Sequence, residues 1–148
     1  MEDNILNIPI ACDHAGFELK EKIKFQFGNI INFVDFGTFS TESVDYPDMI
    51  HPLAKAIDIG TYNMGIIICG SGNGVAITAN KYKNVRAAIC WIPEIAKLAR
   101  QHNDANIVSL PARFISEEEA FEIVKMFINT EFEGGRHKVR VDKISATL

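Results

Sequence analysis

Residues Gly65-Ile66-Ile67-Ile68-Cys69 run directly into Gly70-Ser71-Gly72-Asn73-Gly74 and then Val75-Ala76-Ile77, and this stretch limits the fold most sharply. An unbroken apolar run of β-branched residues reads as a strand buried on both faces, as in a parallel sheet covered by helices. Glycines at alternate positions, followed by small residues, read as a tight turn into a helix. Such a strand–loop–helix unit sets a thiol and several backbone N–H groups beside a helix N-terminus, where anions and thiolates are favoured.

Similar units alternate along the 148 residues without linker, repeat or low-complexity segment, so one domain over 1–148 is expected. Strands are expected at Ile8 to Cys12, Ile30 to Val34, Gly65 to Cys69, Arg86 to Cys90 and Ile107 to Leu110. The first helix, Gly16 to Phe27, carries Leu19, Ile23 and Phe27 on one stripe. After a long loop from Asp35 to Asp48, Pro47 opens a helix with Ile50, Leu53, Ala54 and Ile57 inward. Pro93 opens another, Ser116 to Glu119 form a capping box ahead of Ala120, Ile123, Val124 and Phe127, and a basic helix starts near Arg136. The fold expected is a three-layer αβα Rossmann-like sandwich, with a parallel five-stranded sheet of order 2-1-3-4-5 and an extra C-terminal helix. In that order the C-terminal ends of strands one and three flank one crevice. Those ends carry Cys12-Asp13-His14 and Cys69-Gly70-Ser71.

A net charge of -4 argues against general nucleic-acid binding, which needs basic surface. No apolar stretch is long enough to span a bilayer, and no basic-then-apolar leader opens the chain. Three cysteines without C-x-x-C spacing fit free thiols in a reducing cytoplasm, and no Cys/His ladder suggests a metal.

Most chemically suggestive residues also have a plain structural reading. Cys69 could simply end a core strand, but its place at the crevice rim favours chemistry, whereas Cys12 and Cys90 read better as packing. The glycine loop has neither G-x-G-x-x-G spacing nor a Walker lysine, so it is either a tight turn or an anion nest to which Ser71 adds a hydroxyl. Asp13 could cap the first helix while His14 stays half-exposed. His102, in Arg100-Gln101-His102-Asn103-Asp104, could complement a helix dipole or act as a general acid–base. Arg136 and Arg140 lie one helical turn apart after Gly134-Gly135. They form either a solvated basic face or a grip for phosphate, and Arg113 is a further candidate.

Six short stretches, in collinear order, are spread over nearly the whole chain: Ala11-Cys12-Asp13-His14-Ala15-Gly16, Asp45-Tyr46-Pro47, Ile68-Cys69-Gly70-Ser71-Gly72-Asn73-Gly74, Ala79-Asn80-Lys81, Ala99-Arg100-Gln101-His102-Asn103-Asp104 and Glu133-Gly134-Gly135-Arg136-His137. Together they resemble the RpiB/LacAB family of sugar-phosphate isomerases. The resemblance implies a cytoplasmic enzyme without metal or organic cofactor that interconverts ribose 5-phosphate and ribulose 5-phosphate. A six-carbon sugar phosphate, or a non-catalytic phosphometabolite-binding module, is the alternative. It implies Cys69 as base, and Ser71 with the amides of Gly70, Gly72, Asn73 and Gly74 around an enediolate. His102 would open the ring, and Asp13, His14, Tyr46 and Asn103 would contact the sugar. Arg113, Arg136 and Arg140 would hold the phosphate, with His14 or His137 assisting. It further implies a homodimer or tetramer with active sites shared between subunits, His102, Asn103 and Arg113 being those a partner could supply. Some relatives place a glutamate just past the glycine loop, where this chain has Val75.

Overall fold

The computed structural model describes residues 5–148. In chain order the elements are β1 (Leu6–Cys12), α1 (Phe17–Phe27), β2 (Ile31–Asp35), α2 (Tyr46–Asp58), β3 (Gly65–Cys69) and α3 (Asn73–Ala79). They continue with β4 (Ala87–Ile89), α4 (Pro93–Asn103), β5 (Ile107–Pro111), α5 (Glu117–Asn129) and the extra C-terminal helix α6 (Arg136–Ile144). The strands form one parallel five-stranded sheet between two helical layers, as the alternating pattern requires.

The strand order is β2-β1-β3-β5-β4, which corrects the expected 2-1-3-4-5 at one edge. Burial gives the reason. All five residues of β5 are buried, whereas β4 is three residues long and only half-buried, so β5 takes the inner position and β4 the edge. Right-handed crossovers then assign the helices. Connections running one way along the sheet place α2 and α3 on one face, and those running back place α1 and α4 on the other. The α5 helix packs beside α4 and α1 on that second face.

Strand parity sorts the side chains between the two cores. Ile8, Ile10 and Cys12 of β1 and Ile66 and Ile68 of β3 face α1, α4 and α5. Ala11, Ile67 and Cys69 face α2 and α3. Cys12 and Cys69 therefore end neighbouring strands but point to opposite sides of the sheet. In α1 the fully buried positions are Lys20 and Ile23, with Phe27 close behind, and Leu19 is only half-buried. A lysine thus occupies part of the inner stripe expected for Leu19.

Candidate active site

The glycine loop leaves β3 at the C-terminal edge of the sheet and turns into α3. Gly72 takes φ +75°, a conformation glycine adopts without strain, and serves as the N-cap of α3. Its N–H donates to Cys69 Sγ at 3.2 Å, giving negative charge on the sulfur a fixed donor. Its carbonyl accepts from Ser109 Oγ of β5 at 2.7 Å. Cys69 is 5% exposed, lying under a loop whose Ser71 and Asn73 are exposed. Ser71 Oγ accepts from the Asn73 N–H at 3.2 Å. Two of the amides expected around a substrate oxygen, those of Gly72 and Asn73, are thus already donating within the loop. Val75 is fully buried and, as a hydrocarbon side chain, presents no alternative base.

Neighbouring elements close around this loop. The Asp13 N–H donates to the Ile68 carbonyl (3.2 Å) and its Oδ1 accepts from the Gly16 N–H (3.1 Å), so it caps the turn into α1 and stands beside the end of β3. His14 Nδ1 accepts from the Val44 N–H at 3.2 Å, which places the proton of a neutral ring on Nε2. The Tyr46 ring lies on Gly74 so closely that a Cβ there would meet Cζ at 2.6 Å. Arg113 lies over Gly70, where a Cβ would come 3.1 Å from Nη1, and its N–H donates to the Gly70 carbonyl at 3.0 Å. Arg113 therefore sits on its own chain's glycine loop, unlike His102 and Asn103, with which the family resemblance groups it.

Burial raises the thiols of Cys12 and Cys90 to about 12, which agrees with their reading as packing residues. The residues missed from the sequence are Lys20 and Asp35. Lys20 Nζ donates to Asp35 Oδ1 (2.7 Å), Asp35 Oδ2 (2.9 Å) and the Thr38 carbonyl, with the Phe17 and Phe39 rings nearby. Asp35 also accepts from Lys24 (2.8 Å) and the Gly37 N–H (2.9 Å). Burial pushes the Asp35 carboxyl up, but the hydrogen bonds from Lys20, Lys24 and Gly37 outweigh it and hold the group below its ordinary value. The network pins the start of the 36–45 loop, which passes Val44 and leads into Tyr46 at the start of α2. A lysine in the inner stripe of α1 was its only signal.

The remaining expected residues lie elsewhere. His102 and Asn103 end α4, three residues before β5 begins at Ile107. In the β3–β5 register Gly65 pairs with Ile107 and Cys69 with Pro111. The end of α4 therefore lies at the N-terminal edge of the sheet, about 13 Å of strand from the level of Cys69. There His102, Asn103, His137 and Arg140 line a recess of about 340 Å³, and Arg136 opens α6 beside it. His102 and His137 stack with centroids 4.3 Å apart. Partial burial, together with His102, Arg136 and Arg140, pulls His137 below the ordinary histidine value despite Glu133. One chain thus holds two half-sets: Asp13, His14, Tyr46, Cys69 to Gly74 and Arg113 at one edge, and His102, Asn103, Arg136 and Arg140 at the other.

Residues 8–144 match the family model described as Ribose/Galactose Isomerase. The ribose-5-phosphate isomerase B of Escherichia coli K12 is 41% identical over 140 residues, covering 94% of each chain. Among solved structures, a ribose 5-phosphate isomerase from Thermotoga maritima is 50% identical with a TM-score of 0.92, over 95% of this chain and 97% of that one. Ribose-5-phosphate isomerase B from Mycoplasma genitalium, solved with bound ribulose-5-phosphate, is 42% identical with a TM-score of 0.89, over 94% and 93%.

Proposed function

The chain belongs to the ribose/galactose isomerase family, and on that premise we propose that it interconverts ribose 5-phosphate and ribulose 5-phosphate with Cys69 as the base. The observation that carries this reading is the Gly72 N–H aimed at Cys69 Sγ beneath a glycine loop. Aldose–ketose isomerisation removes a weakly acidic proton next to a carbonyl and returns it to the neighbouring carbon. Cys69 takes the proton from C2 of the open-chain sugar, a C1–C2 double bond forms, and charge moves to the C1 oxygen. Ser71 and the loop amides not already engaged stabilise that enediolate. The proton of the C2 hydroxyl passes to the C1 oxygen, and as the C2–O bond becomes a carbonyl the proton held by Cys69 returns to C1, which leaves the ketose.

His102 serves as the acid that opens the furanose ring, with Asn103 and Asp13 holding sugar hydroxyls. Tyr46 and His14 flank the sugar, and Arg113, Arg136 and Arg140 hold the phosphate away from the reacting carbons, fixing orientation rather than doing chemistry. Because the two half-sets lie at opposite edges of the sheet, a second copy of the chain must supply the His102 side of each site. The geometry is thus best satisfied by a homodimer, or a tetramer, with shared sites.

Replacing Cys69 by alanine tests the chemistry. Turnover of ribose 5-phosphate should fall by about 10²–10⁴-fold or more, since a positioned base supplies an effect of that size. Incorporation of deuterium from heavy water into recovered substrate should fall with it, while the circular dichroism spectrum is unchanged. Turnover near wild type would overturn the assignment.

A further inference from the structure

His102 on the last turn of α4, Glu133 in the connection after α5, and His137 in the first turn of α6 bring metal-ligand chemistry together. One ligand atom of each lies within 4.8 Å of the other two. No sequence spacing announces this cluster. The Glu133 N–H donates to the Gln101 carbonyl at 3.1 Å, and positive φ at Gly134 and Gly135 turns the chain so that α6 starts beside α4. The imidazole planes lie 11° from parallel, and Glu133 Oε2 is 3.5 Å from His137 Nε2.

We propose that His102, Glu133 and His137 form a binding site for a borderline divalent cation such as Zn²⁺, and that the ion inhibits the enzyme by capturing His102. The inhibitory half rests on the role given to His102 above; the binding half does not. Two imidazoles and a carboxylate match the donors such cations prefer. Tetrahedral zinc asks its donors to stand about 3.4 Å apart with their lone pairs converging, so His102 must turn out of its stack on His137 to complete the site. His137 is the more buried arm, with its side chain 10% exposed, and half-buried His102 is the ring that turns in this proposal.

Charge sets the strength of the site. Arg136 and Arg140 on α6 repel a dication, and Glu133 offsets only part of that. On α4, Arg100 is paired with Asp104 at 3.0 Å and so adds little net charge. The ion is therefore a reversible inhibitor, bound more weakly than a structural zinc. A sugar phosphate held by the same arginines competes with it. Magnesium, which prefers oxygen donors and keeps its water, is not taken up.

Titration calorimetry with zinc chloride on the assembled protein, without substrate, tests the binding half. Steady-state turnover with and without zinc tests the inhibitory half. One ion per chain is expected, with inhibition reversed by a chelator and no response to magnesium. His137→Asn and Glu133→Gln should each weaken zinc binding by about tenfold or more. Glu133→Gln should keep its metal-free turnover while losing zinc sensitivity. Absence of binding, or binding indifferent to both substitutions, would overturn the site. Binding that responds to both but leaves turnover untouched would overturn the inhibitory half and count against the role of His102.

Discussion

Lys20 shows what a single residue can hide. It is fully buried, yet its ammonium has two carboxylate contacts to Asp35 and a carbonyl contact to Thr38. Breaking a buried pair from one side costs about 3–5 kcal/mol when the remaining charge is left buried without compensation. Asp35→Ala leaves the Lys20 charge without its carboxylate. Lys20→Met leaves Asp35 with Lys24 and the Gly37 N–H. Urea unfolding should therefore show Asp35→Ala as the more damaging change; the opposite order would refute this account. Asp35 is held below its unfolded value, so its contribution is present above the usual carboxylate range and is lost as pH falls through the lowered native value. On acidification the urea midpoint of the wild type should fall, and that of Asp35→Ala should fall less. The sequence disclosed the crevice residues Asp13, His14 and Cys69 because each follows a legible strand. It concealed Lys20 because a charge in an apolar stripe looks like a solvated position until Asp35 is folded against it.

Two glycines in the elements around the crevice make different demands, and the difference can be measured. A Cβ at Gly16 would stand 2.7 Å from the Ile68 carbonyl oxygen, which is backbone of the central strand and cannot yield. A Cβ at Gly74 would meet the Tyr46 ring at 2.6 Å, and Tyr46 is exposed enough to swing away. Gly16→Ala should lower stability by about 1–3 kcal/mol, the usual cost of forcing an added methyl into packed structure. Gly74→Ala should leave the melting temperature nearly unchanged and raise KM for the sugar phosphate as Tyr46 is displaced. Equal melting temperatures for the two variants would show that the close approach of α1 to β3 is not a constraint. At this scale most strands and helices could be read from periodicity and caps, and Ser116 does cap α5 with Glu119 returning the bond. The position of β5 could not be read. Ser109 gives that strand a polar centre, which suggests an edge, yet the residue is fully buried and donates to Gly72.

For the whole molecule, the interchange of β4 and β5 decides which helices share a face, while the crevice between β1 and β3 survives it unchanged. The crevice was therefore legible even though the topology at one edge was not. What one chain cannot show from its sequence is the distance between the half-sets, because His102 is only 33 residues from Cys69 along the chain but on the far edge of the sheet. The exposed apolar side chains of Ile77, Trp91 and Ile92, near the β4 edge, offer surface for a second copy to cover. If each site draws Cys69 from one subunit and His102 from another, two dead variants can rescue each other. A heterodimer of Cys69→Ala with His102→Asn holds one site bearing both substitutions and one bearing neither. Mixing the two inactive proteins, unfolding them together and refolding should restore about a quarter of wild-type activity, because random pairing makes half the dimers mixed and each mixed dimer keeps one intact site of two. Were both residues to serve a site within one chain, every chain in the mixture would carry a defect and no activity would return.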